Sequence, residues 1–187
     1  MPRYSGDDPY PDRASGVLKN RFGIIDAATL ETTEADLVAA RSRELSQTPL
    51  KGRVDLAHLQ AVHRYLFGDV YEWAGELRMI DIGKGGHLFA HHAHFGSAAA
   101  TISERLAEDG HLAGLDPAAF SQRAAHYLGE LNALHPFREG NGRAQREFMS
   151  HLAHATGYYI AWEAMQQPGL LQASIESFKA TYRNLPR

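Results

Sequence analysis

The 187-residue sequence contains no cysteine. Disulfides, thiol nucleophiles and cysteine-ligated zinc or iron–sulfur centres are therefore excluded, and the lack fits a reducing compartment. No apolar run approaches the ~18 residues of a membrane span, so no membrane is expected among the partners. Positive charge is not in excess: 19 Lys and Arg stand against 22 Asp and Glu, a net charge of -3 with histidines neutral. A chain without a basic footprint is not built for non-specific nucleic-acid binding, although a local basic pocket stays open. The opening MPRYSGDDPYPDRASG is polar and acidic and lacks the apolar stretch of a secretory leader. The expected place is the cytoplasm, or another cell reached by a route that leaves no mark in the sequence.

What is present reads as helix. Residues 1–16, rich in Pro, Gly, Asp and Ser, read as an extended arm. Asp26 has the character of an N-cap, and Ile25, Leu30, Leu37 and Ala40 mark a helix to about Leu45. Asp55 caps a second helix with Leu56, Leu59, Val62, His63 and Leu66 on one face. Ile80 and Ile82 then alternate with polar residues ahead of Gly83, Gly85 and Gly86, the pattern of a short strand pair. The helical period returns from His94 to about Asp109. Asp116-Pro117 starts a helix through Phe120, Ala124, Leu128, Leu131 and Leu134, with Pro where its missing N–H costs nothing. It stops at His135, because a residue before Pro is driven out of the α region. Phe148, Leu152 and Ala155 define a further helix ended by Gly157, and one or two short helices follow Pro168. Tyr158, Tyr159 and Trp162 read as core rather than as adenine contacts. The expected fold is mostly α, with one small β-hairpin.

The densest chemistry lies in HPFREGNGRAQRE, residues 135–147, between two of these helices. Gly140, Asn141 and Gly142 lead into a helix N-terminus, where converging amides and the helix dipole favour an anion. Arg143 and Arg146, three apart, project from nearly one face, and their forks match phosphate oxygens. Glu139 would repel that anion unless a cation lay between, and Mg²⁺ takes one or two carboxylates with phosphate oxygens. The imidazole of His135 can accept a proton from an attacking hydroxyl near neutral pH. A turn needs no such combination, so the segment reads as nucleotide, metal and general base together.

Residues 135–146 match at every specified position the signature His-x-Phe-x-(Asp/Glu)-Gly-Asn-(Gly/Lys)-Arg-x-x-Arg, and here the sequence resembles the Fic family. HLQAVHRYLFGDVYEWAGELR and DIGKGGHLFA resemble the segments that precede that signature, extending the likeness loosely over residues 53–185. The resemblance implies a Fic-type helical bundle with a small β-hairpin flap. It implies adenylylation: AMP moves from Mg-ATP to a Ser, Thr or Tyr hydroxyl of a target protein. It implies His135 as general base, Phe137 as the structural anchor of the loop and Glu139 as the Mg²⁺ ligand. Gly140, Asn141 and Gly142 would line the anion hole, and Arg143 and Arg146 would hold the β- and γ-phosphates. Gly142, where the kinase-like Doc relatives carry Lys, implies the AMP-transferring orientation of ATP.

The hairpin from Ile80 to Phe89 would offer a target segment a strand edge, and relatives use it as a clamp. Ile80, Asp81, Ile82, Gly83, Lys84 and Phe89 are its candidate target-binding residues, with Lys84 and Gly85 also placed near the nucleotide. An inhibitory (Ser/Thr)-x-x-x-Glu-(Gly/Asn) motif, common in the family, is missing from the sequence. This points to a toxin held by a small antitoxin that supplies the inhibitory Glu. The expected division is residues 1–52 as arm, helix and antitoxin-docking region, the docking surface around residues 26–45, and 53–187 as catalytic core. His87, His91, His92 and His94 read as a solvated rim of the hairpin, having no carboxylate at ligand spacing. Related phosphoryl or other nucleotidyl transfer, and a catalytically idle binding module, remain as alternatives.

Overall fold

The computed structural model describes residues 8–84 and 87–164. Five α-helices dominate: α1 Ala27–Gln47, α2 Leu56–Phe67, α3 Phe95–Glu108, α4 Pro117–Leu134 and α5 Asn141–Ala155. Three of them start on an aspartate whose carboxylate satisfies first-turn donors that have no intrahelical carbonyl. Asp26 accepts from the Thr29 N–H, Asp55 from His58, and Asp116 from Ala118 and Ala119. No described helix is long and apolar enough to cross a membrane.

Helices α2 and α5 form the central pair, with α1 against α2 and α4 against α5. Leu59, Val62, Leu66 and Phe67 of α2 join Ala144, Phe148 and Leu152 of α5 in one core, together with Leu30, Val38 and Leu45 of α1. Each fully buried large side chain contributes roughly 1.5–3 kcal/mol relative to exposure, so this packing outweighs the small differences in helix propensity.

Three expectations are corrected. The buried face of α1 is Leu30, Glu34, Val38 and Leu45, while Ile25 is 71% exposed. Glu34 falls one turn after Leu30 and one turn before Val38, on the buried face, although the sequence reading did not single it out. The described part of the expected arm, residues 8–16, is tied to the body: Pro11 bridges Leu18 and Tyr10 is buried edge-on to Trp73 at 5.4 Å, and just beyond it the Arg21 N–H donates to the Val70 carbonyl at 2.8 Å. Tyr159 is 78% exposed, whereas Tyr158 stacks on Phe120 at 4.3 Å and Trp162 is partly buried against the core. Period 3.6 carries no information past the end of α5, where the backbone has turned.

Two two-residue strands, β1 Gly83–Lys84 and β2 His87–Leu88, pair antiparallel with Gly83 opposite Leu88. The Phe89 N–H continues the ladder to the Ile82 carbonyl at 3.0 Å. Ile80 stands outside it, its carbonyl taken by the Arg78 guanidinium. The helices expected after Pro168, and Gly85, lie outside the described residues, as does the side chain of Lys84.

Candidate active site

Helix α4 ends at His135, whose backbone is left-handed at φ 45, ψ 60. The following proline keeps His135 out of the right-handed region, but the exit is into the left-handed one rather than into extended chain. This turns the imidazole out of the helix line. Its ring stacks on Phe89 at 3.8 Å and 11°, and its Nδ1 lies 3.3 Å from the Asn132 carbonyl. An Nδ1–H donated there leaves the lone pair on Nε2, the form a general base needs.

The loop that follows is fixed from both sides. Phe137 is fully buried and stacks on His63 at 3.9 Å. Both polar atoms of the buried Asn141 side chain are spent on Phe137: Oδ1 accepts its N–H at 2.9 Å, and Nδ2 donates to its carbonyl at 2.7 Å. Any contribution of Asn141 to an anion would therefore come from its backbone. His63 accepts the Gly75 N–H on Nδ1 at 2.8 Å, so its Nε2–H faces the Glu139 carbonyl at 3.0 Å. Burial pushes the His63 imidazole down to about 4, against a smaller upward pull from that carbonyl. It stays neutral and holds the backbone beside Glu139. The sequence placed His63 on the apolar face of α2 and gave no sign of this second contact.

Gly140 caps α5 with φ 77, and a Cβ there would overlap the Phe67 ring. The N–H groups of Arg143 and Ala144 both reach the Gly140 carbonyl at 3.1 Å. Asn141 and Gly142 are left as the turn's donors without an intrahelical carbonyl, the arrangement that receives anions. Gly142 is exposed, and a Cβ on it would meet only the Arg146 guanidinium at 3.6 Å. Packing of the chain does not demand glycine here, so the space is open to a ligand. Glu139 is exposed, with Oε1 accepting the Gly140 N–H at 3.0 Å.

Arg143 sits 4.8 Å over the Phe67 ring and pairs with Glu34 of α1, whose other oxygen receives the Tyr71 hydroxyl. That buried contact pushes the Tyr71 hydroxyl up, burial first and Glu34 second. Arg146 has no ion-pair partner among the described residues. Burial, and then the neighbouring Arg143, push its guanidinium down. A half-buried cation beside a second one, at a helix N-terminus, lowers its energy by taking an anion. The two arginines also open on a cleft of about 340 Å³ between α1 and α5, lined by Val38, Ser42 and Trp162.

Arg78 joins this loop to the hairpin. Its side chain is fully buried, donating to the carbonyls of His135 at 2.9 Å, Ala90 at 2.6 Å and Ile80. Its own N–H reaches the Pro136 carbonyl at 2.9 Å. Nothing local in the sequence marked it. Ile82 is buried, and the partly exposed Asp81 carboxylate binds His92.

A model of the Fic/DOC family matches residues 53–153. The chain is 50% identical to protein adenylyltransferase VbhT of Bartonella schoenbuchensis over 95% of its own length, but spans only 37% of that relative. It is 38% identical to the probable protein adenylyltransferase Fic of Escherichia coli, covering 90% of this chain and 84% of the relative. Its fold superposes on the N-terminal Fic domain of a Bartonella quintana effector with bound ADP at TM-score 0.88, 30% identity, covering 92% of this chain and 87% of that one. For BepC of Bartonella tribocorum with bound AMPPNP the values are 0.86, 28%, 90% and 88%. By the family match over residues 53–153 and the identity to the Escherichia coli relative, the chain belongs to the Fic/DOC family.

Proposed function

We propose that the chain is a protein adenylyltransferase. The observation that carries this is Arg146, half-buried beside Arg143 at the start of α5, with no carboxylate partner among the described residues. In this reading Arg143 and Arg146 hold the β- and γ-phosphates of ATP, and the N–H groups of Asn141 and Gly142 face the α-phosphate. The names of the relatives and their structures with ADP and AMPPNP support it.

His135 Nε2 takes the proton of a Ser, Thr or Tyr hydroxyl as its oxygen forms a bond to the α-phosphorus. The bond from that phosphorus to the oxygen bridging the β-phosphate breaks, and pyrophosphate leaves with its electron pair. Glu139 is exposed, with Oε1 turned to the helix start, and fits the carboxylate ligand of Mg²⁺. When bound there, the ion neutralises phosphate charge. The target would pair with the backbone of Ile80–Gly83, flanked by the exposed Met79 and Leu88. Phe89 then serves by holding the His135 ring.

The test uses ATP labelled at the α or the γ position, incubated with the chain and a bacterial lysate. Label on protein from the α position alone is expected. Label from the γ position would establish phosphoryl transfer instead, and none from either would favour an idle binding module.

A small antitoxin completes the reading: the cleft between α1 and α5 ends at both arginines, within the 26–45 docking region. A helix bearing Glu, seated there, would occupy Arg146. Co-expression of such a protein should suppress labelling, and Ala39→Trp at the cleft wall should restore it. Labelling that persists with the wild-type pair would remove the partner from the scheme.

A further inference from the structure

The histidines after the hairpin lack a ligating carboxylate in sequence, but the fold supplies one. Asp81 enters the hairpin and His91 and His92 leave it, and the three meet at its foot. His91 Nε2 lies 3.0 Å from Asp81 Oδ2, and His92 Nδ1 lies 2.9 Å from Oδ1. One ligand atom from each of the three falls within 4.8 Å of the others. The two imidazoles stack at 4.6 Å, and the His94 ring is 5.6 Å from that of His91.

We propose that Asp81, His91 and His92 form a site for a divalent transition cation of the zinc class. In a chain without cysteine, such an ion must be held by nitrogen and oxygen. A tetrahedral ion with bonds of about 2.0–2.2 Å sets its ligand atoms roughly 3.3 Å apart. Both His–Asp separations are already at that scale. His91, whose ring would have to rotate to close the remaining gap, is exposed. The surroundings are those of an orienting shell: the His92 N–H donates to Asp81 Oδ1 at 3.0 Å, and Arg78 Nη1 stands 3.7 Å from the same oxygen. Metal on His91 Nε2 places the proton on Nδ1, so the 3.2 Å contact from the Ala93 N–H is given up. The consequence is mechanical. An ion here ties the entering and leaving strands of the hairpin together. It adds a fixed point beside Arg78.

The site is independent of ATP, so its test does not depend on adenylyl transfer. Tag-free full chain, stripped with EDTA, is titrated with Zn²⁺ by calorimetry without nucleotide, and with Co²⁺ by visible absorption. One Zn²⁺ per chain is expected, with affinity at least tenfold weaker in Asp81→Asn and in His91→Ala/His92→Ala, and a tetrahedral Co²⁺ spectrum lost in the same variants. Amide exchange over residues 80–92 should slow on adding Zn²⁺ to the wild type alone. No Zn²⁺ binding would overturn the proposal, as would binding unchanged in the double variant, which would place the ion among the other histidines. The altered side chains are exposed or half-exposed, and unchanged circular dichroism and melting would show that the variants fold.

Discussion

His135→Asn should lower target labelling by roughly 10²–10⁴-fold, the span that a positioned general base supplies. ATP affinity, measured by calorimetry, should change less than about threefold, because no phosphate contact is assigned to this imidazole. Asparagine is chosen because His135 is left-handed at φ 45, and Asn visits that region at small cost where alanine does not. His135→Ala therefore combines loss of the base with local strain, and the pair of variants separates the two. If Asn and Ala both abolish labelling while the Asn variant melts like the wild type, chemistry has been lost rather than the loop. Labelling by His135→Asn within tenfold of wild type would remove the base from His135. Phe89 provides a further control: it stacks on the ring but has no proton to exchange, so Phe89→Ala should lower the rate less than either variant.

The parts of the site that were legible are those whose partners are near in sequence. Asp26, Asp55 and Asp116 each bind donors two or three residues on, so a capping residue before an apolar period was enough to start three helices. The signature loop is one continuous segment, and Gly140, Asn141, Arg143 and Arg146 fall at the α5 start as read. The unreadable parts are long-range pairs. Glu34 meets Arg143, and Asp8 meets Arg138 at 2.8 Å, across more than half of the chain. A carboxylate between Leu30 and Val38 on a buried helix face needs a partner, but nothing local says that the partner is a guanidinium 109 residues away. Arg78 and His63 escaped for the same reason: each bonds backbone carbonyls, and carbonyls carry no sequence signature. Asp81 is separated by the hairpin from the histidines it joins, so spacing alone kept the carboxylate and the imidazoles apart.

Arg78→Ala should have the largest structural cost among the side chains around the site. The guanidinium serves three carbonyls, those of His135, Ile80 and Ala90, and lies 4.6 Å over the Phe95 ring. Burial pushes it down to about 10, so it is still charged at neutral pH, with Asp81 as the first opposing influence. Truncation leaves three carbonyls without their donor and a cavity of arginine size, together costing about 3–5 kcal/mol. For a chain of this length that corresponds to a fall in melting temperature of roughly 10 °C. Two of the three carbonyls belong to the hairpin ends and one to the catalytic loop, so the damage should be directional. ATP binding, assigned in the proposed function to α5, should survive where the variant is folded, while labelling of the target falls because the hairpin and His135 no longer share a fixed point. Arg78→Lys sharpens the test: it keeps the charge, but a single ammonium cannot serve three carbonyls on different sides, so it should recover less than half of the lost stability. A variant Arg78→Ala that melts within 2 °C of the wild type, scaled by the same relation, would show that the guanidinium does not brace the two segments. Recovery of full stability and labelling by lysine would reduce its role to charge alone.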